Sequence, residues 1–397
     1  MGFLSKAKPT EADQSLKEAY FTASQAQLIR ARYKSNRTAM VAGWVLTMMI
    51  LVGFFSEFLS PYAPTMAGRD KQYENGPPQM PKFWDENGFS LQPFIYGTSR
   101  ERSIKTNFRW VITVDREDRR YLRFFVEGWQ YSYIDLKLNL PGDAFDIDFT
   151  TLTFSTHLFG ADKGGVHLFG TDASGKDIFS RTLRAIFTSL KCGALGVFIA
   201  FVLALVIGGI SGFYGGWIDS ILQMITDAIR TVPPLPLFMA LAAFLPQEWS
   251  AEAVFFIISS ILGLIGWPTL ARRIRTHLLS ERSQEYVLAA ELCGASPSHI
   301  IRRHLLPSFT SYIIVDLMIT FPYMVRLETA LSFIGLGLID PVSSLGSMMQ
   351  NVSKADVLLN YQWYFIPVLF FIAFVLAFVF VGDGLRDAAD PYTRAKK

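Results

Sequence analysis

Charged residues and cysteines are both scarce in this sequence. Charged residues make up 18% of the 397 positions and hydrophobic residues 51%, whereas average soluble domains carry roughly 25% charged residues. The two cysteines, Cys192 and Cys293, lie about a hundred residues apart, which excludes a disulfide-stapled secreted domain and a cysteine-based metal or redox site. The composition also excludes a disordered chain. The mean hydropathy of +0.28 is modest for a chain wholly in lipid, so we expect several membrane spans and a sizeable polar part.

Six stretches are long and apolar enough to cross a membrane, which needs roughly 17–25 residues per helix. They are residues 38–56, 192–218, 231–247, 253–271, 307–325 and 363–382. The fifth stretch contains Asp316, and an acid in lipid is expected to face the bundle interior or a cavity. The first stretch is too long for a signal peptide and follows a long polar segment, so we predict a retained anchor helix.

Residues 62–188 contain 16 basic and 16 acidic residues, and outside this balanced part lysine and arginine cluster in three segments, residues 28–37, 272–303 and 384–397. With six spans, all three segments fall on the same side of the membrane. The positive-inside rule identifies that side as the cytoplasm. We therefore predict a multi-pass membrane protein with both termini in the cytoplasm.

This topology divides the chain into five predicted parts. They are a cytoplasmic tail (1–37), a first transmembrane helix (38–61), an extracytoplasmic insertion with an amphipathic entry segment (62–188), a core of five transmembrane helices (189–383) and a second cytoplasmic tail (384–397). The predicted fold is thus an all-α membrane protein with a small insertion between helices 1 and 2. Aromatic and β-branched residues at 108–115 and 122–138 predict short strands in that insertion. An irregular loop lying over the membrane domain is the alternative.

Residues 170–177 have the form of a phosphate-binding loop, G-x-x-x-x-G-K, with Gly170, Gly175 and Lys176 in place. Asp177 stands where such a loop needs Ser or Thr for magnesium, and an acid there repels phosphate. The predicted topology also places this loop away from cytoplasmic ATP. We therefore predict a turn followed by an amphipathic helix. Its apolar face would carry Ile178, Phe179, Leu183 and Ile186, with Arg181 and Arg184 off that face.

A short repeat raises the question of a metal site. His157-Leu-Phe-Gly-Ala-Asp recurs ten residues later as His167-Leu-Phe-Gly-Thr-Asp. Two histidines and two aspartates are suitable metal ligands, but nothing in the sequence directs all four towards one point. Duplication of a turn is the preferred interpretation, and we assign no metal, no cofactor and no catalytic residue to this chain.

Residues 281–307 predict a capped helical hairpin between two spans. Ser283 is the predicted cap of a helix with Glu285 in its first turn, and Gly294 ends that helix. Ser296 caps a second helix with Pro297 at its first position, and Pro307 closes it. An ordinary loop is the simplest alternative. A DNA-reading hairpin is disfavoured by the two flanking spans, so we predict no nucleic-acid partner.

This hairpin resembles the coupling loop of ABC importer permeases, whose pattern is E-A-A, three residues, G, nine residues and I-x-L-P. Ala289, Ala290, Gly294 and Leu306-Pro307 keep that spacing, whereas Leu288 replaces Glu and His304 replaces Ile. Further blocks resemble the second, C-type subunit of the dipeptide/oligopeptide permease family. They are residues 35–64, 167–181, 212–219, 331–337 and 381–394.

The resemblance implies a six-helix type I importer permease in the bacterial inner membrane. It implies a heterodimer with a second permease, two cytoplasmic ATPases that bind ATP and magnesium, an extracytoplasmic solute-binding protein and surrounding membrane lipid. The solute would be a peptide or a related compound such as an oligosaccharide, moved by alternating access. This chain would have no ATPase site and would not be an enzyme. The residues that would couple it to the ATPases are Glu285, Ala289, Ala290, Gly294, Ala295, Ser296 and Pro297.

The translocation path is less well defined by the sequence. Asp316, Arg326 and Glu328 are candidates for the path or its gate, and packing or a permease–permease interface is the alternative role. Asp227 and Arg230 are three apart on one predicted helix and can pair, and stabilising the inner membrane edge is their expected role. The insertion, residues 64–166, is the candidate contact for the binding protein. A stand-alone secondary transporter or channel is the main rival function; a membrane enzyme and an exporter half are less consistent with the sequence.

Overall fold

The computed structural model combines a helical bundle with a small β-sheet. It describes residues 25–63, 73–86, 88–102, 110–132, 135–139, 146–150, 152–246, 249–308, 310–338 and 342–389. Most of both predicted tails therefore lies outside the described residues, as do parts of the insertion.

The helices are numbered here in chain order. They are α1 (Gln25–Ser35), α2 (Arg37–Phe54), α3 (Ser56–Leu59), α4 (Ile178–Tyr214), α5 (Gly216–Thr231), α6 (Pro234–Ala243), α7 (Ala251–Arg282), α8 (Glu285–Leu292), α9 (Pro297–Ile300), α10 (Leu306–Ser308), α11 (Thr310–Ile334), α12 (Leu345–Val352), α13 (Ala355–Asn360) and α14 (Ile366–Ala389). A π-helical turn, Ile301–Leu305, joins α9 to α10, and a 3-10 turn, Gln362–Phe365, precedes α14.

Within the described ranges, five helices are long and apolar enough to cross a membrane. They are Arg37–Phe54, Ile178–Tyr214, Ala251–Arg282, Tyr312–Ile334 and Gln362–Ala389. The third predicted span, residues 231–247, instead contains the ten-residue helix α6. Pro233 and Pro234 explain the interruption, because proline lacks the N–H that a continuous helix needs.

The helices α4 and α7 pack side by side and run in the same direction. Gly196 lies against Leu262, Gly208 against Ala271 and Gly212 against Leu278. A Cβ on Gly212 would come within 2.9 Å of the Arg275 carbonyl, so glycine here permits the close approach of two backbones. Because the two helices are parallel, the chain between them returns along the bundle, through α5 and α6.

The other long helices alternate in direction. Phe321 of α11 stacks on Phe378 of α14 at 4.5 Å, and Gly382 lies against Ile319, so α11 and α14 are antiparallel. Gly384, near the end of α14, lies against Ala39 at the start of α2. The start of α2, the hairpin of α8 and α9, and the end of α14 therefore share one end of the bundle, called the hairpin end below.

A β-sheet caps the opposite end, called the sheet end. Its strands are β1 (Lys82–Asp85), β2 (Gly88–Arg102), β3 (Trp110–Ser132) and β6 (Thr153–Ala161), paired antiparallel in that order. A separate ribbon pairs β4 (Asp135–Asn139) with β5 (Asp146–Thr150). Phe159 of the sheet packs on Phe179 of α4 at 5.8 Å, which fixes the sheet to the bundle.

The helix predicted to enter the second span forms the start of α4, with Ile178, Leu183 and Ile186 of its apolar face buried, but its two arginines are in different surroundings from those expected. Residues 178–188 continue without a break into the second span, and Asp177 caps the helix through the Ser180 N–H at 2.7 Å. Arg181, predicted to lie off the buried face, is buried and paired with Asp172, and Arg184 is paired with Glu57. The sheet and its loops cover this helix start, so its charged side chains find partners inside the protein. The first helix also ends earlier than predicted, at Phe54, with α3 as a separate turn.

Candidate functional site

The hairpin between α7 and α11 is buried on one side and exposed on the other. Val287, Ile300 and Leu305 lie in the main hydrophobic core, and Ala290 and Ala295 pack against it. Close-packed side chains transmit displacement rather than absorb it. The hairpin is therefore expected to move together with the helices that it joins.

The turn of the hairpin depends on a left-handed glycine. Gly294 has φ +79°, and its N–H donates to the Glu291 carbonyl at 2.9 Å. The Ala295 N–H donates to the Ala290 carbonyl at 3.1 Å. These two bonds form a Schellman motif, which satisfies the last carbonyls of α8. A Cβ on Gly294 would meet nothing within 4 Å, so the backbone angle and not space requires glycine in this chain.

The outer side of α8 presents large apolar side chains. Leu292 is 89% exposed, Leu288 48% and Tyr286 41%. Leu288 and Leu292 are four residues apart and thus share a helix face. An exposed apolar cluster on a polar segment is typical of a protein–protein contact. Sequence reasoning did not assign these three residues, although their signal was visible as large apolar side chains in a hairpin expected to lie in water.

The predicted coupling residues divide between the two sides of the hairpin. Ala290 and Ala295 are half-buried against the core. The exposed ones are Glu285, Ala289, Gly294, Ser296 and Pro297. The exposed set and the apolar face of α8 together form the surface available to a partner.

The predicted caps of this hairpin are only partly correct. Gln284, not Ser283, stands at the N-cap of α8, because α7 extends to Arg282 and Ser283 ends it. Ser296 does precede α9 with Pro297 at its first position, but its side chain makes no capping hydrogen bond. The Ser296 hydroxyl instead lies 3.4 Å from that of Ser298.

Pro307 does not end the second helix as predicted. A π-helical turn, Ile301–Leu305, precedes it, and α10 then includes Pro307. Proline lacks an N–H and clashes with the carbonyl four residues earlier. The wider π turn accommodates this residue without stopping the helix, and such turns are frequent at functional sites.

Arginines near the end of α7 hold the hairpin end of the bundle together. Arg273 forms a salt bridge with Asp316 of α11 at 2.6 Å. Arg275 binds Asp219 of α5 with two nitrogens. Arg282 donates to the carbonyl of Phe213 in α4 at 2.8 Å. One helix thus contacts three neighbours through charged groups beside the hairpin.

The pairing that the sequence allows between Asp227 and Arg230 is not formed in the structure. Asp227 of α5 instead forms a salt bridge with Arg272 of α7. Residues three apart on one helix can pair, but the packing of α5 on α7 brings a second arginine to the same carboxylate. The bond therefore links two helices instead of two turns of one helix.

The three candidate path residues lie in three different surroundings on α11. Asp316 is buried and paired with Arg273. Glu328 is fully buried, where it accepts hydrogen bonds from Ser332 at 2.8 Å and Ser189 at 3.2 Å. Arg326 is exposed, with its guanidinium 5.9 Å from the Tyr323 ring. Within this chain, Asp316 and Glu328 hold helices together, and Arg326 is the one of the three that faces outwards.

In the segment that resembles a phosphate-binding loop, the Asp172 side chain binds the backbone N–H groups of the loop. Asp172 accepts the N–H groups of Ser174 at 2.8 Å and Lys176 at 2.9 Å, and it also pairs with Arg181. Backbone N–H groups are what a phosphate-binding loop offers its ligand. Here two of them are already bonded to a carboxylate, which agrees with the interpretation as a turn.

The two repeated histidines have separate partners. His157 lies between the carbonyls of Glu57 and Trp129, at 2.9 and 3.0 Å. The His167 Nδ1 lies 3.0 Å from Asp177. In the part of the chain that the structure describes, no group of three or more His, Cys, Asp or Glu side chains is placed to hold a metal ion.

Comparison with protein families gives two matches. Residues 204–395 match the model described as a binding-protein-dependent transport system inner membrane component. Residues 24–78 match the N-terminal transmembrane domain of oligopeptide transport permease C. The first match contains the whole hairpin, and the second contains the first long helix.

Several curated proteins are similar to this chain. A putative peptide permease protein of Brucella ovis is 35% identical over 66% of this chain and 82% of its own length. The dipeptide transport system permease protein of Lactococcus lactis is 29% identical over 91% of this chain and 88% of its own length. The oligopeptide transport system permease protein of Bacillus subtilis is 36% identical over 60% of this chain and 72% of its own length.

A solved structure is also similar in part. A chain of the MetNI methionine ABC transporter, in an inward-facing conformation, matches 52% of this chain and 96% of its own length. The sequence identity is 18% and the TM-score is 0.42.

Proposed function

This chain belongs to the family of binding-protein-dependent transport system inner membrane components and is a peptide-type ABC permease subunit, and on that premise we propose how it works. It forms a translocation path with a second permease and receives its energy from two cytoplasmic ATPases. A solute-binding protein outside the membrane delivers peptides or a related solute. The hairpin of α8 and α9, anchored by Val287 and Ile300 and exposed at Leu292, is the observation that carries this proposal.

The proposed topology has six crossings with both termini in the cytoplasm. It is supported by the parallel packing of α4 on α7, which requires the chain to return between them. In this proposal α5 and α6 make the third crossing in two pieces. Arg272, Arg273, Arg275 and Arg282 lie at the hairpin end, and basic residues favour the cytoplasmic side. The hairpin end is thus assigned to the cytoplasm and the sheet end to the outside.

Coupling is proposed to pass through the hairpin as a rigid lever. An ATPase cleft would hold the exposed set Glu285, Ala289, Gly294, Ser296 and Pro297 together with Leu288 and Leu292. Closure of the two ATPases would displace the hairpin, and with it α7 and α11. The Arg273–Asp316 bridge joins these two helices and supports their movement as one unit. The result would be a switch between inward and outward openings of the path.

Arg326 is the proposed path residue among the three candidates. It is exposed on α11, next to the ring of Tyr323. An exposed cation on a spanning helix is costly unless it meets a partner or a water-filled cavity. The carboxyl group of a peptide in transit, or an acid of the second permease, would supply that partner. Asp316 and Glu328 would act indirectly, by holding the helices around it.

The sheet end is proposed to receive the binding protein. The sheet is fixed to the bundle by the packing of Phe159 on Phe179 and by the hydrogen bond between the His157 ring and the backbone carbonyl of Glu57. A docked binding protein would therefore press on a surface that is rigidly connected to α3 and α4. A stand-alone secondary transporter leaves both the hairpin and this surface without a role, and it predicts uptake without ATP.

Cross-linking through a natural cysteine tests the proposed docking. Cys293 is exposed in the hairpin turn and Cys192 is buried, so a thiol-specific reagent should select Cys293. In membranes that contain the whole transporter, a short thiol–amine cross-linker should join this chain to an ATPase subunit. The Cys293→Ser variant is the matched control and should give no product. Cross-linking of Cys293 only to other subunits, or its labelling by an impermeant thiol reagent added from outside, would contradict the proposal.

A further inference from the structure

A groove on the outside of the bundle lies between α2 and α14 at the hairpin end. It has a volume of about 450 Å³. Its α2 wall consists of Arg37, Val41 and Val45, and its α14 wall includes Leu376 and Phe380. All the large apolar side chains named here are exposed in this chain.

The length of this groove corresponds to one leaflet of a bilayer. Arg37 and Val45 are eight positions apart on α2, so the groove runs along about 12 Å of helix. Half of the hydrocarbon core of a bilayer is about 15 Å. Its floor contains Ala42 and Ala377, whose small side chains let a chain of methylene groups lie close to both helices.

Charge is placed at one end of the groove only. Arg37 is the first residue of α2, and no described carboxylate forms a salt bridge with it. The helix α1 leads directly into Arg37 and carries exposed Arg30 and Lys34. The hydroxyl of Tyr33 donates to the Ala39 carbonyl at 2.9 Å, which holds α1 against the first turn of α2.

Basic side chains remain in excess at this end after the acids are counted. The basic residues at the hairpin ends of α1, α2 and α14 are Arg30, Arg32, Lys34, Arg37 and Arg386, against Asp383 and Asp387. Clusters of this kind next to a membrane span attract anionic lipid head groups.

We infer that this groove is a binding site for an anionic phospholipid, with an acyl chain between α2 and α14 and the phosphate at Arg37. The apolar walls fit a hydrocarbon chain, and the Arg37 guanidinium at the mouth fits a lipid phosphate. The site would tie α1 and α2 to α14 at the end of the bundle that carries the hairpin. It is independent of the solute and of the ATPase contact.

Lipid retention by the assembled transporter tests this inference. The probes are phosphatidylglycerol and phosphatidylcholine with identical acyl chains, and native mass spectrometry counts the molecules that remain bound. The wild-type complex should retain phosphatidylglycerol preferentially. Arg37→Gln should weaken phosphatidylglycerol binding about fivefold, the effect of one basic side chain at a membrane surface, and should weaken phosphatidylcholine binding less, because the choline cation offsets the charge of its phosphate.

Matched variants separate the groove from general effects. Val41→Trp fills the groove and should weaken both lipids, whereas Leu369→Trp places the same bulk on an exposed part of α14 outside the groove. Arg230→Gln removes another exposed arginine and should have no effect. Equal retention of the two lipids by the wild type, or equal effects of Arg37→Gln and Arg230→Gln, would overturn the inference. Displacement of the lipid by inorganic phosphate, or cross-linking of Val41→Cys to another subunit, would overturn it as well.

Discussion

Individual arginines decide which helices are joined at the hairpin end. Arg273 reaches Asp316 on α11, and Arg272 reaches Asp227 on α5. The two bridges differ in burial, because Asp316 is buried whereas Asp227 is exposed. A bridge with a buried acid is costly to break, since the remaining group loses its partner away from water. An exposed bridge contributes little.

We predict that the Arg273–Asp316 bridge stabilises the bundle more than its exposed counterpart. In a double-mutant cycle of Arg273→Gln and Asp316→Asn, the interaction energy should be about 1–2 kcal/mol. The corresponding cycle of Arg272→Gln and Asp227→Asn should give less than about 1 kcal/mol. Unfolding of the purified transporter measures both energies. Equal values for the two cycles would show that burial does not distinguish these bridges.

At the scale of elements, the sheet is held to the bundle by a buried histidine. The His157 ring stacks on Trp129 and lies between two backbone carbonyls, one of them in α3. Burial lowers the pKa of His157 below its usual value, and backbone hydrogen bonds oppose this shift without reversing it. Burial therefore favours the neutral imidazole, which donates to one of the two carbonyls, and this effect outweighs the second hydrogen bond that the charged ring would form.

The contact between the sheet and α3 should consequently weaken in acid. Because the pKa of His157 is lower in the folded state than in the unfolded chain, its contribution is fully present above about pH 6.5 and declines as the pH falls below that value. The protection factors of the β3 and β6 amides, which correct the exchange rate for slower intrinsic exchange in acid, should be smaller at pH 5 than at pH 7.5. His157→Gln should show a smaller difference between the two pH values. An unchanged difference in that variant would assign the pH dependence to other groups.

At the scale of the whole molecule, the sequence predicted the hairpin better than the helices around it. The small residues at 289 and 290 and the glycine at 294 predict a turn at this point. The structure confirms it, because Gly294 has the positive φ that the turn requires. The six apolar stretches also locate the helices of the bundle. At the third stretch, however, Pro233 and Pro234 separate the end of α5 from the start of α6. Hydropathy measures length and polarity, and it does not show where a proline interrupts a crossing.

Contacts between distant helices were the part that the sequence could not supply. Asp227 has a suitable partner three residues away, yet its partner is Arg272. Glu328 is suited to a gate by its charge, yet serines from two helices surround it. These choices depend on how α4, α5, α7 and α11 pack, which the spacing along one helix does not determine. Leu288 and Leu292 could be recognised in the sequence as large apolar residues, but only the structure shows that the described part of the chain leaves them exposed.

If the hairpin of α8 and α9 couples ATP hydrolysis to transport, a bulky side chain at Gly294 should disrupt the coupling. In proteoliposomes with the complete transporter, Gly294→Trp should reduce solute uptake about tenfold or more, equivalent to about 1.4 kcal/mol of lost docking, while ATP hydrolysis continues. Gly216→Trp is the matched control, because Gly216 also has a positive φ and no neighbour within 4 Å of its missing Cβ, and it lies outside the hairpin. Its uptake should stay close to that of the wild type. Wild-type uptake in Gly294→Trp, or an equal loss in Gly216→Trp, would contradict the account.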